Sequence, residues 1–342
     1  MSRQTLLGLD IGTRFVKCVE MSNVKGSYLI TGVGLREVPA PDALRDTLRD
    51  LLRESGFKTR QVVSAVSGRS VIVRYVTMPF MTDDQMKNAI KYEAAKYIPF
   101  EVEDMILDYQ RIDEGTGGEG ASKEMRVLLV AAKRDFIVDH VDLIDEIGLQ
   151  PVVVDVDSFA LGNGFELAGR IKSEAFDWTK IAALIDIGAA KTNVNIVKGD
   201  TSYFTREIYI GGDEMSEALA KRENVDVKDA EKLKREPANA AGRVQEAVAS
   251  VLDDLCHEVH LSLDYFENQF DRPVDDLLVS GGGAQVLGLD EAFEKAFGKK
   301  PVHWSPVEHV GIDRDRLDAA AVEAYSSQLA VAVGLASRIQ KG

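Results

Sequence analysis

The chain has 342 residues, 45% of them hydrophobic, which suits about two globular domains with real cores. Its 56 acidic residues outnumber 41 Lys and Arg, and the net charge of −15 disfavours general attraction to nucleic acid or to an anionic membrane surface. Cys18 and Cys256 stand far apart without a Cys-x-x-Cys, no apolar run reaches the ~20 residues needed to cross a bilayer, and Met1 to Thr5 has no signal-peptide pattern. The expectation is a cytosolic protein with free thiols that does not insert in a membrane and does not bind nucleic acid.

In chain order, strands are expected at Thr5 to Leu9, Phe15 to Met21 and Tyr28 to Val38. Pro39 and Pro41 stop that sheet, and Asp42 is expected to cap a helix that runs to about Ser55 and ends at Gly56. Strands follow at Val62 to Val66 and Val71 to Thr77. Thr82 and Gln85 then form a capping box, and Met86, Ala89, Ile90, Ala94 and Tyr97 keep helical spacing until Pro99 forbids continuation. A strand at Met105 to Arg111, a Gly-rich tip at Gly115 to Gly120, a strand at Met125 to Ala132 and a helix from Asp135 to Ile147 complete what reads as an α+β insert. The first sheet resumes at Pro151 to Val156, before a helix from about Ser158 to Ile171 and a hinge at Trp178 to Thr179.

The second half replays the first, with strands at Ile181 to Ile185, Thr192 to Val197 and Ser202 to Ile210. Helices are expected at Asp213 to Arg222, Val227 to Arg235 and Ala241 to Phe270. A strand at Leu277 to Val279, a turn at Gly281 to Gly283, and helices at Leu287 to Phe297 and Ala319 to Arg338 end the pattern.

The replay is sharpest in two stretches, GLDIGTRFVKCVE from Gly8 and LIDIGAAKTNVNI from Leu184. Each reads as a hairpin with a carboxylate, Asp10 or Asp186, at the end of its first strand. Gly12 and Gly188 are expected to give the turn a backbone shape closed to residues with a Cβ and to expose its N–H groups. Two such hairpins facing each other can grip a polyphosphate, with the aspartates holding hydrated magnesium between them. Other readings stay open beside this one. Lys17 can be a solvated strand lysine, Glu231 and Lys234 an exposed i, i+3 pair, and the stripe through Met86, Ile90, Ala94 and Tyr97 plain core. The run Cys256 to His260 spaces its histidines three apart rather than the four of a zinc-binding helix, and no third ligand is evident.

Together with Gly211-Gly212-Asp213, the Ala-Glu-x-x-Lys at Ala230 to Lys234 and SGGGAQ at Ser280 to Gln285, the two hairpins resemble the five-part signature of the actin-like ATPases. The insert, with Met78-Pro79, Tyr92-Glu93-Ala94, Tyr97 to Glu101 and Leu107 to Gln110, resembles the PilM family of type IV pilus assembly proteins, which is related to FtsA. The resemblance runs nearly end to end. It implies an α/β actin-like fold with two duplicated domains: residues 1–70 and 151–178 as domain 1A, the insert 71–150 as an FtsA-type 1C subdomain, 179–213 and 276–342 as domain 2A, and 214–275 as a helical subdomain 2B.

It also implies ATP and Mg2+ as cofactors. Asp10 and Asp186 would organise magnesium through water, and Gly12, Thr13 and Lys17 would meet the β- and γ-phosphates. Gly188, Lys191 and Thr192 would form the second phosphate loop, beside Gly211, Gly212 and Asp213. Glu231 and Lys234 would line the adenine and ribose, and Gly281, Gly282, Gly283 and Ala284 would pass under the nucleoside. A polar residue to orient the attacking water has no decisive match, Asp157 or Ser158 being offered, so at most a slow ATPase is expected. The implied function is an ATP-binding cytoplasmic scaffold, peripheral to the inner membrane through the N-terminal peptide of PilN, with other pilus machinery proteins as further partners and Phe100 proposed at the peptide site. The alternatives are an FtsA-like filament-forming membrane tether and a small-molecule kinase of the same fold. A kinase would need a carboxylate base facing an acceptor hydroxyl.

Overall fold

The computed structural model describes residues 4–24, 26–113, 124–172 and 176–340. The chain divides into two compact units, residues 66–149 and the remainder.

The larger unit opens with β1 (Gln4–Ile11), β2 (Phe15–Val24) and β3 (Ser27–Glu37), an antiparallel meander in which Asp10 lies opposite Lys17 and Ile11 opposite Val16. Asp42 does not cap the next helix. Pro41, with its preset φ, opens a 3-10 turn at Pro41–Ala43, and α1 (Leu44–Ser55) follows directly from Ala43 without a side-chain cap. Gly56 ends α1 in the left-handed region, with φ 60°. β4 (Gln61–Val66) then pairs parallel with β1.

The smaller unit holds β5 (Val71–Pro79), α2 (Asp83–Ala94), β6 (Met105–Asp113), β7 (Glu124–Lys133) and α3 (Arg134–Glu146). Its three strands order as β5-β7-β6, all antiparallel. The capping box forms, with the Thr82 amide donating to Gln85 Oε1 at 2.9 Å and the Gln85 amide to Thr82 Oγ1 at 3.4 Å. The regular helix stops at Ala94 rather than running to Pro99. Ala94 O takes the amides of both Tyr97 and Ile98, a tightened last turn, and Pro99 disfavours a helical conformation at the residue before it. Met86, Ile90 and Ala94 face the sheet with Met105, Met125, Val127 and Leu129 in one buried cluster. The expected tip at Gly115 to Gly120 lies outside the described residues.

Back in the larger unit, β8 (Gln150–Val156) leads into α4 (Asp157–Lys172), and β9 (Ile181–Ile187), β10 (Thr192–Lys198) and β11 (Thr201–Ile208) repeat the meander. The helices α5 (Gly212–Glu223), α6 (Val227–Arg235) and α7 (Ala241–Phe270) come next, then β12 (Asp276–Ser280), α8 (Leu289–Phe297), β13 (Val302–His303) and β14 (Gly311–Ile312). The first sheet orders as β14-β3-β2-β1-β4-β8 and the second as β11-β10-β9-β12-β13.

A single helix from Ala319 to Arg338 does not form. It breaks into α9 (Ala319–Ala324), a 3-10 turn at Ser326–Leu329 and α10 (Ala330–Ala336). Two carbonyls in that turn serve outside donors: Ser326 O accepts from Ser305 Oγ at 2.8 Å and Ser327 O from the Gly281 amide at 2.8 Å. Every residue of α10 is buried, and α4 contributes to both sides of the surrounding core. Ala160 shares a cluster with Val63, Val331 and Leu335, while Leu161 and Phe165 share one with Leu184, Val197 and Ala330. A Cβ at Gly8 of β1 would lie 2.0 Å from Ala332 O, and one at Gly334 would lie 1.7 Å from Ala160 O. Only glycine lets α10 sit this close to strand and helix at once.

Candidate functional site

The two Asp-Ile-Gly turns close identically. The Gly12 amide donates to Phe15 O at 3.0 Å and the Gly188 amide to Lys191 O at 2.9 Å. Neither glycine has a positive φ, which corrects the expectation of a glycine-only backbone shape. The exclusion comes from proximity instead: a Cβ would meet Phe15 O at 2.8 Å in the first turn and Lys191 O at 2.9 Å in the second. Asp10 pairs in register with Lys17, and Asp186 with Asn193, so the structural counterpart of Lys17 is Asn193 and not Lys191.

Side chains then diverge. Lys17 Nζ donates to Asp10 Oδ2 at 2.6 Å. Asp186 Oδ1 instead accepts from Ser280 Oγ at 2.9 Å, while Lys191 Nζ is held between Asp157 Oδ2 at 2.7 Å and Glu207 Oε1 at 2.6 Å. Asn193 donates through Nδ2 to Asp157 Oδ2 at 3.0 Å, and its Oδ1 is buried with no hydrogen-bond partner. Thr192 is fully buried, and its hydroxyl donates to Ile210 O at 2.7 Å, bracing the turn from behind. Thr13 is exposed at the tip of the first turn.

The second turn carries the start of α5. Gly188 O accepts from the Gly212 amide and Ala189 O from the Asp213 amide, both at 2.9 Å, while Glu214 Oε2 takes the Gly211 amide at 2.8 Å. At Gly211 a Cβ would meet Ala189 O at 2.4 Å. Gly281 turns with φ 89° against the end of β9, where a Cβ would lie 2.3 Å from Ile187 O, and Gly283 and Ala284 are buried behind exposed Gly282.

Glu231 and Lys234 are not an exposed pair. Lys234 Nζ reaches Glu231 Oε2 at 2.7 Å, Gly212 O at 2.6 Å and Ser216 Oγ at 2.8 Å. Glu231 also accepts from Ser216 Oγ, from Arg235 Nε at 2.7 Å and from Arg14 at 2.5 Å. Arg14, which the sequence reading passed over, also pairs with Asp213. It therefore joins the first turn to α5 and α6, and Arg235 stands over the Phe15 ring at 5.1 Å.

Burial pushes the Asp186 carboxyl up to about 6, against the pull of Lys17. Burial likewise raises Asp157, more than Lys191 lowers it. For Lys17, burial favours the neutral amine, but Asp10, Asp186 and Asp157 together outweigh it and the ammonium is held above its usual range. At Glu231, burial is overcome by hydrogen bonds from Arg14, Lys234 and Ser216, which bring the carboxyl down to about 2.

The site holds seven carboxylates, Asp10, Asp157, Asp186, Glu207, Asp213, Glu214 and Glu231, against five cations, Arg14, Lys17, Lys191, Lys234 and Arg235. No bare polyanion is matched by that balance, so a polyphosphate fits only with a divalent cation of its own. Among the described residues no group of three or more His, Cys, Asp or Glu could hold a metal ion by itself. Two carboxylates beside glycine turns do fit magnesium that keeps waters and shares phosphate oxygens. The Cys256 to His260 run serves other ends: Cys256 is in the core with its thiol raised to about 12 by burial, and His260 lies 3.5 Å from Asp264.

Phe100 belongs to the smaller unit. It is 39% exposed beyond buried Ile98, outside the core cluster, with Lys133 Nζ 4.5 Å from its ring centre. Tyr92 on α2, part of the stretch that carries the family resemblance, is 80% exposed.

Residues 8–340 match the family model described as type IV pilus assembly protein PilM. A solved structure described as a PilM-PilN type IV pilus biogenesis complex is similar at 29% identity, with 98% of each chain covered and a TM-score of 0.83. The cell division protein FtsA of Streptococcus pneumoniae serotype 2 (strain D39 / NCTC 7466) is 23% identical over 357 residues, covering 89% of this chain and 76% of FtsA. MreB 5 of Spiroplasma citri bound to AMPPNP shares the fold at 13% identity, with 99% and 96% covered and a TM-score of 0.51. No described helix is long and apolar enough to cross a membrane.

Proposed function

Since this chain belongs to the PilM family of type IV pilus assembly proteins and has the actin-like fold, we propose that it is an ATP-binding scaffold of the pilus inner-membrane platform that docks the cytoplasmic N-terminal peptide of PilN. The observation that carries this reading is the full-length similarity to a PilM-PilN complex, at 29% identity over 98% of both chains. The two matched turns support the nucleotide part. Gly12 and Gly188, whose own amides close the turns, would let the turn backbone come close to the phosphates, with Thr13, Lys17, Lys191 and the start of α5 at Gly211, Gly212 and Asp213 around them. Asp10 and Asp186 would hold magnesium through water, which would neutralise phosphate charge. Lys234 and Gly281 to Ala284 would border the nucleoside, and Thr192 would act as a brace.

Turnover, where it occurs, would be slow. Asp157 is already held by Lys191 and Asn193, which leaves it poorly placed to move a proton, whereas the unpaired Asn193 Oδ1 can accept from a water.

Phe100, half-exposed beside Lys133, offers an apolar face to an extended peptide. Calorimetric titration with the PilN N-terminal peptide tests the reading. Phe100→Ala is expected to weaken binding by about 1–3 kcal/mol with ATP affinity unchanged. Undiminished affinity in a folded variant removes Phe100 from the site, and no heat with the wild type removes the scaffold reading.

A further inference from the structure

Arg14 lies inside the first turn, between Gly12 and the Phe15 carbonyl that closes it, yet its guanidinium is spent elsewhere. One nitrogen pairs with Asp213 and the other with Glu231 at 2.5 Å. Asp213 is the second residue of α5, and its amide is bonded to Ala189 O of the second turn. A continuous bar therefore runs from the first turn, through Arg14 and Asp213, to the second turn. The Arg235 guanidinium over Phe15 adds a parallel contact. The Arg14 side chain is 20% exposed and that of Asp213 33%, so water and salt reach it, while Glu231 is anchored independently by Lys234, Arg235 and Ser216 and stays in place when Arg14 leaves.

We propose that Arg14, with Asp213 and Glu231, is a latch across the nucleotide cleft that sets how fast nucleotide enters and leaves without setting how tightly it is held. The proposal rests on the nucleotide reading above. A latch that opens only transiently, and is shut both before and after binding, raises the barrier to association and to release by the same amount. Both terminal nitrogens of the Arg14 guanidinium are already taken by Asp213 and Glu231, so a shut latch offers them to no phosphate.

The test is stopped-flow fluorescence with magnesium and N-methylanthraniloyl-ATP on the full chain. Arg14→Ala is expected to speed association and release each about tenfold or more, leaving Kd within about twofold. Arg14→Lys, which reaches only one carboxylate, falls between and covers the case in which the alanine variant folds poorly. Raising salt from 50 to 500 mM speeds release from the wild type and not from Arg14→Ala. Unchanged rates in both variants, or a weaker Kd caused by faster release alone, overturn the latch while leaving nucleotide binding intact. Absence of binding by wild type and variants alike overturns the nucleotide reading and the latch together.

Discussion

The first and second hairpins share a backbone to within the closing hydrogen bond, yet they hold opposite chemistry. At the position after the paired strands begin, the first carries Lys17 against Asp10, and the second carries Asn193, leaving Asp186 to a serine hydroxyl. The first turn also projects Arg14, while the second directs its lysine to Asp157 and Glu207. A repeated sequence pattern therefore copies the turn-closing hydrogen bond but not the charge. One side is balanced by its own lysine, and the other has no lysine paired directly with its aspartate.

The largest break in that comparison is expected from Lys17→Ala. It strands a partly buried Asp10 carboxylate and should cost about 3–5 kcal/mol in urea unfolding. A loss under 1 kcal/mol would mean that water, not Lys17, balances Asp10. Next, magnesium with ATP at a hundredfold over Kd should stabilise the wild type by ~2.7 kcal/mol. The gain should vanish in Asp10→Ala and in Asp186→Ala, with circular dichroism confirming the fold; a magnesium-dependent shift retained in both variants would remove these aspartates from the metal site.

Asp186→Asn should act through pH. The folded carboxyl titrates at about 6 against an ordinary value of 3.8, so between these values the folded state binds the extra proton. Stability from this group is therefore greatest below pH 4 and is lost as pH rises through 6. Without ligand, Asp186→Asn is expected to gain about 3 kcal/mol at pH 7.5 and nearly nothing at pH 4. A gain independent of pH would refute the assignment. The smallest effect belongs to Asn193→Ala, about 1 kcal/mol, because the substitution deletes one hydrogen bond together with an oxygen that has no partner. If it proves as costly as Lys17→Ala, the two hairpins are more alike than their side chains indicate.

Much of this was legible in the sequence, for reasons that are local. The turns, the capping box at Thr82, and α7 from Ala241 to Phe270 depend on spacing within one element. Arg14 gave no signal because its partners lie some 200 positions away, on helices whose placement follows from the second turn. Glu207 was missed likewise, and Ser280, though it opens the SGGGAQ stretch, was given no partner, each being one polar residue in a strand until register aims it at Lys191 or Asp186. β13 and β14, two residues each, are too short to show a period. The break between α9 and α10 depends on donors from Ser305 and Gly281, which no helical pattern contains.

The position of α10 bears on how the protein is made. The first sheet takes its edge strand from Gly311–Ile312 and its backing from residues 330–336, seated on Gly8 of its central strand. More than 300 residues must leave the ribosome before that sheet can be completed, whereas all the strands and helices of the 66–149 unit are available less than halfway through synthesis. The nascent N-terminal strands therefore wait with an uncovered face. Protease protection of stalled chains is expected to appear early for residues 66–149 and only at release for β1 to β3. Early protection of β1 to β3 would show that the sheet does not need its last helix in order to form.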